Sequence, residues 1–292
     1  MSTSSVAIAP VRASRGRTGG LLVSELRLVL RRRRNLVMLA ALAAVPIVIG
    51  IVLRVASGGG DSIGGPEGGP PSFITQVTEN GLFLGFSALV IVTPFLMPLT
   101  MSVVSGEAVA GEASQGTLRY LLTVPVSRGR VLAVKYTANV VYALVAAVVV
   151  AAVGMAAGSL LFPTGPVTLL SGTSIELSDT MVRALMMAGY GCVLMAGLAA
   201  IGLFVSTLTE VPVAAMATTA AIPVVSQILG AIPQLSGLHP WLFTDTWSAY
   251  SDLLRDPIAW DTITRGLLTQ GGYIAVFLSL AWARLCTRDI TS

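Results

Sequence analysis

Six apolar runs, each close to the length that crosses a bilayer, leave this chain little with which to build a water-facing surface. They cover residues 36–53, 81–104, 136–161, 184–205, 211–232 and the shorter 267–283, against about 20 residues for a spanning helix. No Asp, Glu, Lys or Arg falls inside any of them. Over all 292 residues 54% are hydrophobic and 11% charged, where an ordinary globular protein carries about 25% charged residues. A soluble fold of this size cannot cover itself with so few charges. The expectation is an all-α, polytopic membrane protein with six transmembrane helices. The same numbers exclude disorder or a disulfide scaffold as the description of the whole. Cys192 and Cys286 lie in or at the end of apolar runs and read as buried thiols.

Charge bias sets an orientation. With the amino terminus inside, fourteen basic residues lie on the inner side, and Arg54, Arg183, Arg255 and Arg265 lie outside. Acidic residues distribute the other way: Glu25, Glu107, Glu112, Glu210 and Asp289 fall inside, and the other nine outside. Both termini are therefore expected in the cytoplasm. A cleaved leader is not expected, because about 35 residues precede the first run and no polar mature domain follows it.

Outside the spans, residues 1–20 read as a disordered cytoplasmic segment and 284–292 as a short cytoplasmic tail. Between them, 36–283 reads as one six-span domain. Residues 21–35 read as an amphipathic helix. Leu22, Leu26, Val29 and Leu30 recur at helical spacing, and Ser24, Arg27, Arg31 and Arg34 take another face. Such a helix can lie on anionic headgroups before the chain turns into the membrane, although four consecutive arginines also serve as a positive-inside flank. On the outer side, 56–80 is rich in Gly and Pro and reads as a flexible loop. The stretch 234–265 interleaves Trp241, Trp247, Tyr250 and Trp260 with acidic residues. That suits short interfacial or re-entrant helices, against an ordinary loop with interfacial aromatics.

The only lysine among 18 basic residues is Lys135. A phosphate-binding P-loop requires Gly-Lys-[Ser/Thr], and Lys135 follows Val134, so the chain cannot hydrolyse nucleotide by that route. His239 is the only histidine. It reads as an interfacial loop residue rather than a metal ligand or a catalytic base. Gly81-x-x-x-Gly85 and Gly154-x-x-x-Gly158 permit close helix approach, within one bundle or at a dimer seam. Pro94, Pro98, Pro212 and Pro223 can kink spans two and five.

The most informative inner segment lies between spans two and three. Gly116 breaks the preceding helix, Thr117 can cap a new one, and Pro125 ends it after one to two turns. Ser127 can cap the next helix. Leu118, Leu121 and Leu122 would then be available to fill a partner's groove, with Arg119 and Arg128 free to pair with acidic residues there. The alternative is a solvated connecting loop.

The run from Glu112 to Arg128, Glu-Ala-Ser-Gln-Gly-Thr-Leu-Arg-Tyr-Leu-Leu-Thr-Val-Pro-Val-Ser-Arg, resembles the signature of the ABC-2 type permeases, the membrane subunits of type V ABC exporters. It looks most like their NosY-like subgroup. The family pattern is filled here by Glu112, Gly116, Thr117, Leu118, Leu121, Leu122, Pro125, Val126, Ser127 and Arg128. The resemblance implies a permease whose ATP and magnesium are held by a separate ABC ATPase, with no cofactor in this chain. It also implies an amino-terminal elbow helix, and outer re-entrant helices between spans five and six. Residues of the stretch opening at Glu107, through Arg128, would be the coupling helix region. Ser206, Thr207 and Glu210 would be a second inner contact. Two copies would form the translocation unit, a homodimer or a heterodimer of related permeases, in a bacterial inner membrane. The cargo would be an amphiphilic lipid, peptide or drug, and no nucleic-acid partner is expected. The competing class is a channel or secondary carrier working without ATP, and the absence of ionisable residues from the spans removes the usual relay for ion coupling.

Overall fold

The computed structural model describes residues 17–58, 73–114 and 127–287. Helix α1 (Arg17–Arg31) is followed, after Arg32 alone, by α2 (Arg33–Gly58), the first span. The second span is broken. Helices α4 (Phe83–Val92) and α5 (Leu96–Ser114) meet at a bend of 58°. Helix α6 (Arg128–Leu161), α7 (Leu177–Leu208), α8 (Pro212–Gly230) and α10 (Trp260–Thr287) supply the other four crossings. The six-span, all-α reading holds, with helices that overrun several apolar runs because their charged ends stand at the bundle's rims. Helix α6 starts at Arg128 rather than at 136, and α10 takes in Arg265 and Arg284 on either side of its apolar run.

Helix α7 is the centre of the bundle, packing on α5, α6, α8 and α10, while α1, α2 and α4 lean on α6. The composition of α7 explains its place: Gly, Ala and Ser along Gly191, Gly197, Gly202 and Ser206 let neighbours approach from several sides. The two Gly-x-x-x-Gly motifs pack on each other inside the chain. Gly81 and Gly85 of the second span face Gly158 and Gly154 of α6, and a Cβ on Gly81 or Gly158 would overlap the other's backbone.

The break in span two is a hydrogen-bonding problem with a local solution. Proline lacks an N–H, so the Pro94 carbonyl, whose helical donor would be residue 98, finds Pro98 there instead. Gln227 of α8 supplies the missing donor, its Nε2 lying 2.9 Å from the Pro94 carbonyl. Thr93, at the break, hydrogen-bonds both the Leu89 carbonyl at 2.7 Å and Tyr250 Oη at 3.1 Å. Pro212 stands in the first turn of α8, where no N–H is needed, and Pro223 lies within that helix.

Tyr250 comes from the segment between spans five and six. Three short 3₁₀ turns, Pro233–Leu235, His239–Trp241 and Asp245–Ala249, lead into the single turn α9 (Tyr250–Leu253). Trp241 and Trp260 are exposed, as interfacial anchors would be, whereas Trp247 and Tyr250 are buried in the bundle. Tyr250 stacks edge-on against Tyr190 of α7, which donates to the Thr246 carbonyl at 2.7 Å. Gln270 of α10 donates to the Phe243 carbonyl at 2.9 Å. The segment is thus plugged into the far end of the bundle by side chains that satisfy its irregular backbone. Beside it, β1 (Val167–Thr168) and β2 (Ser174–Ile175) form a small hairpin. Asn80 ties that hairpin's approach to α4, its Nδ2 bonding the carbonyls of Gly165 and Pro166. Within the loop expected over 56–80, Phe73–Glu79 forms a helix, α3, and residues 59–72 lie outside the described residues.

Overpacking a close helix contact costs about 1–3 kcal/mol. Gly158→Leu should therefore lower the unfolding midpoint of the detergent-purified protein by several degrees. Gly271→Ala, where nothing lies within 4 Å of a new Cβ, should leave it unchanged. Equal midpoints for the two variants would remove the α4–α6 contact from the list of fold determinants.

Candidate functional site

The end of the bundle where α1 meets α5 and α6, and where α10 ends, gathers a dense set of charges. Glu107, two turns before the end of α5, is only 12% exposed and is held by Arg32 Nη1 at 2.9 Å and by Arg34 Nη2. Gly111, four residues on, leaves the space along which the Glu107 side chain lies. Lys135, in the second turn of α6 and 5% exposed, is bonded by Glu112 Oε1 at 2.6 Å and Glu25 Oε1 at 2.9 Å. Three cations and three carboxylates therefore join α1, the α1–α2 link, the start of α2, α5 and α6 in a set with no net charge. A half-buried ion of this kind is tolerated only when paired and hydrogen-bonded, and here every member has a partner. Asn35 Nδ2 adds a bond of 2.8 Å to the Val29 carbonyl, near the end of α1.

The residues expected to take part in coupling separate into three groups. Glu107 and Glu112 face inward, into the ion-pair set. Gly116, Thr117, Leu118, Arg119, Leu121, Leu122, Pro125 and Val126 lie outside the described residues. Ser127 stands at the cap position of α6, its carbonyl accepting the Arg130 N–H at 2.9 Å, with no cap bond from its hydroxyl. Arg128 reaches across to α10 and donates to the carbonyls of Leu285 and Cys286, the latter at 3.0 Å. A guanidinium on the last carbonyls of a helix complements the negative end of its dipole.

In the last turn of α7 Ser206 and Thr207 are buried, and in the link to α8 Glu210 is exposed. Ser206 Oγ accepts from the backbone N–H groups of Val109 and Ala110 at 3.0 and 2.8 Å, fastening this turn to α5 close to Glu107. Along α1, Val29 is buried and Leu22, Leu26 and Leu30 are half-buried, with Leu26 and Leu30 packed against the core. Arg27 and Arg31 are exposed, while Arg34 turns to Glu107. The apolar stripe of α1 thus covers a face of the bundle, chiefly α6.

Sequence reasoning did not find the Lys135–Glu25–Glu112 cluster. The available signal was that a chain using arginine everywhere else keeps one lysine, at the mouth of a span. The partner Glu25 lies 110 residues away, and no local pattern links the two.

The chain matches the family described as ABC-2 family transporter protein over residues 29–233. The match runs from the end of α1 through α8, and so takes in the ion-pair set except Glu25 together with the turn at Ser206. No curated protein matches the chain. The chain belongs to the ABC-2 family of transporter proteins and is a multi-pass membrane protein.

Removing one partner of a buried ion pair strands the other charge, at a cost of about 3–5 kcal/mol. Lys135→Met should destabilise the protein by an amount approaching that range, because two carboxylates lose their cation. Combining it with Glu25→Gln and Glu112→Gln should restore much of the loss. Thermal unfolding of the wild type, the single variant and the triple variant in one detergent measures both effects, and an undisturbed Lys135→Met midpoint would contradict the clamp.

Proposed function

We propose that this protein is the permease subunit of an ATP-driven exporter in a bacterial inner membrane, with both termini in the cytoplasm. A separate ABC ATPase binds the nucleotide and magnesium. Two copies of the permease, as a homodimer, form the pathway for an amphiphilic or hydrophobic cargo such as a lipid, a peptide or a drug. Membership of the ABC-2 family carries the reading, since that family implies an ABC ATPase partner in general.

The ATPase docks at residues 116–128, between spans two and three. Leu118, Leu121 and Leu122 fill its groove, and the turn at Glu210 makes a smaller second contact. Two features support that placement. The segment departs from the end of α5 two residues after Glu112, and returns at Arg128, which bonds the last turn of α10. A displacement of the segment would therefore load Lys135, α1 and α6 through an ion pair at one end, and α10 at the other. Helix α1 keeps its basic residues Arg27 and Arg31 toward anionic headgroups of the inner leaflet.

Placing an unpaired carboxylate in an apolar groove costs several kcal/mol, enough to lose a micromolar complex. The Leu118→Asp, Leu122→Asp double variant should insert normally and fail to stimulate, or be stimulated by, its ATPase in reconstituted vesicles. Wild-type nucleotide turnover and cargo flux in that variant would move the docking element elsewhere.

A further inference from the structure

The ion-pair set does not fill the space around it. A cavity of about 400 Å³, within the range of small-molecule sites, opens beside it between α1, α2, α5 and α6. Its wall includes Arg27, Arg31, Arg34, Asn35, Lys135 and Asn139.

Two independent observations give this cavity a chemical preference. The first is a set of unpartnered polar atoms. Arg34 Nε and Asn139 Nδ2 are buried donors, and Asn35 Oδ1 is a buried acceptor, and none of the three has a hydrogen-bond partner among the described residues. Asn139 is 1% and Asn35 3% exposed. A buried amide left unmatched is destabilising, and Asn139 stands one turn beyond Lys135 in α6. The second observation is charge. The cavity is lined by five cations, Arg27, Arg31, Arg32, Arg34 and Lys135, and by three carboxylates. Those carboxylates already hold cations: Glu107 binds Arg32 and Arg34, and Glu25 and Glu112 bind Lys135. Arg27 and Arg31 stand outside that balanced set, so the wall is positive and its spare groups are mainly donors. A metal ion would find every carboxylate already neutralised by a cation, whereas an anion with several acceptor oxygens matches the excess positive charge.

We propose that this cavity binds the phosphate headgroup of a membrane lipid, of the kind that carries its own hydrogen-bond donor. The phosphate oxygens accept from Arg34 Nε and Asn139 Nδ2, and a headgroup hydroxyl or ammonium donates to Asn35 Oδ1. Charge-assisted bonds to phosphate are the strong ones. The site lies where the α1–α2 link enters the bundle, at the depth where headgroups gather. This binding needs no ATPase, so it stands or falls separately from the coupling reading.

Native mass spectrometry of the full-length, delipidated chain in mild detergent tests it. Phosphatidylethanolamine and phosphatidylglycerol, titrated separately, should each be retained as a one-to-one adduct more tightly than phosphatidylcholine, whose quaternary ammonium cannot donate. Asn139→Leu and Arg34→Lys should each weaken retention at least about tenfold, the loss expected for one hydrogen bond to a charged group. Arg34→Lys keeps a cation opposite Glu107, and monodisperse elution verifies the fold of each variant. Inorganic phosphate that displaces the lipid at millimolar concentration would support the same phosphate site while adding a soluble source. Equal retention of the three lipids by the wild type overturns the proposal, and that comparison requires no variant. Unchanged retention in both folded variants would overturn it as well, leaving a water-filled cavity.

Discussion

Backbone polar groups inside a bilayer have no water to turn to, so a chain that breaks a spanning helix must supply the missing partners itself. Here that demand falls on the Pro94 to Pro98 stretch, and much of the architecture answers it. Gln227 of α8 reaches the orphaned Pro94 carbonyl. Tyr250, carried inward by the segment between spans five and six, meets Thr93 at the bend. Room for the Tyr250 ring depends on Gly191 of α7, where a Cβ would strike its hydroxyl. The 58° turn then sends α5 on a course that brings Glu107 to the α1–α2 link and Glu112 to Lys135. A defect in one helix thus sets the geometry at both ends of the bundle.

Both ends use charge, but in different arrangements. At the far end, neutral hydrogen bonds from Asn80, Tyr190, Gln270 and Ser226 secure irregular backbone and neighbouring side chains, and the Arg183 guanidinium donates to the carbonyls of Leu253 and Arg255. At the other end, three carboxylates and three cations hold α1, α2, α5 and α6 together. Neutral bonds in a close-packed plug tolerate little displacement. Ion pairs lose their attraction more gradually with distance, as Coulomb energy falls with 1/r. In the exporter account, the α1 end receives the motion and the glycine-packed α4–α6 contact passes it on as a rigid body.

The six crossings were legible because hydrophobic runs free of charge have one stable solution in a membrane. The helix ends were less so: Arg128, Lys135 and Arg284 lie outside the apolar runs but inside helices, since a charged residue can continue a helix into the rim. The Gly-x-x-x-Gly motifs announced close packing, but not that each was the other's partner, because spacing on one helix carries no address. The same limit hid the clamp, for Glu25, Glu112 and Lys135 are ordinary flanking charges until the fold brings them within 3 Å. The aromatic segment before span six misled in part: Trp241 and Trp260 stay exposed, but Trp247 and Tyr250 turn inward, because Thr93 at the break and Tyr190 of α7 receive Tyr250, and Phe243 packs edge-on against Trp247, partners that composition does not reveal.

The central claim is that this membrane subunit works with an ATPase encoded separately, and the most direct measurement is its composition when extracted gently. Purified from its native host in mild detergent under a tag, the chain should carry a stoichiometric P-loop ATPase identifiable by mass spectrometry, and the preparation should turn over ATP. Recovery of the chain alone, with no nucleotide turnover under the mildest extraction, would contradict the account and return the chain to the class of channels or ATP-independent carriers.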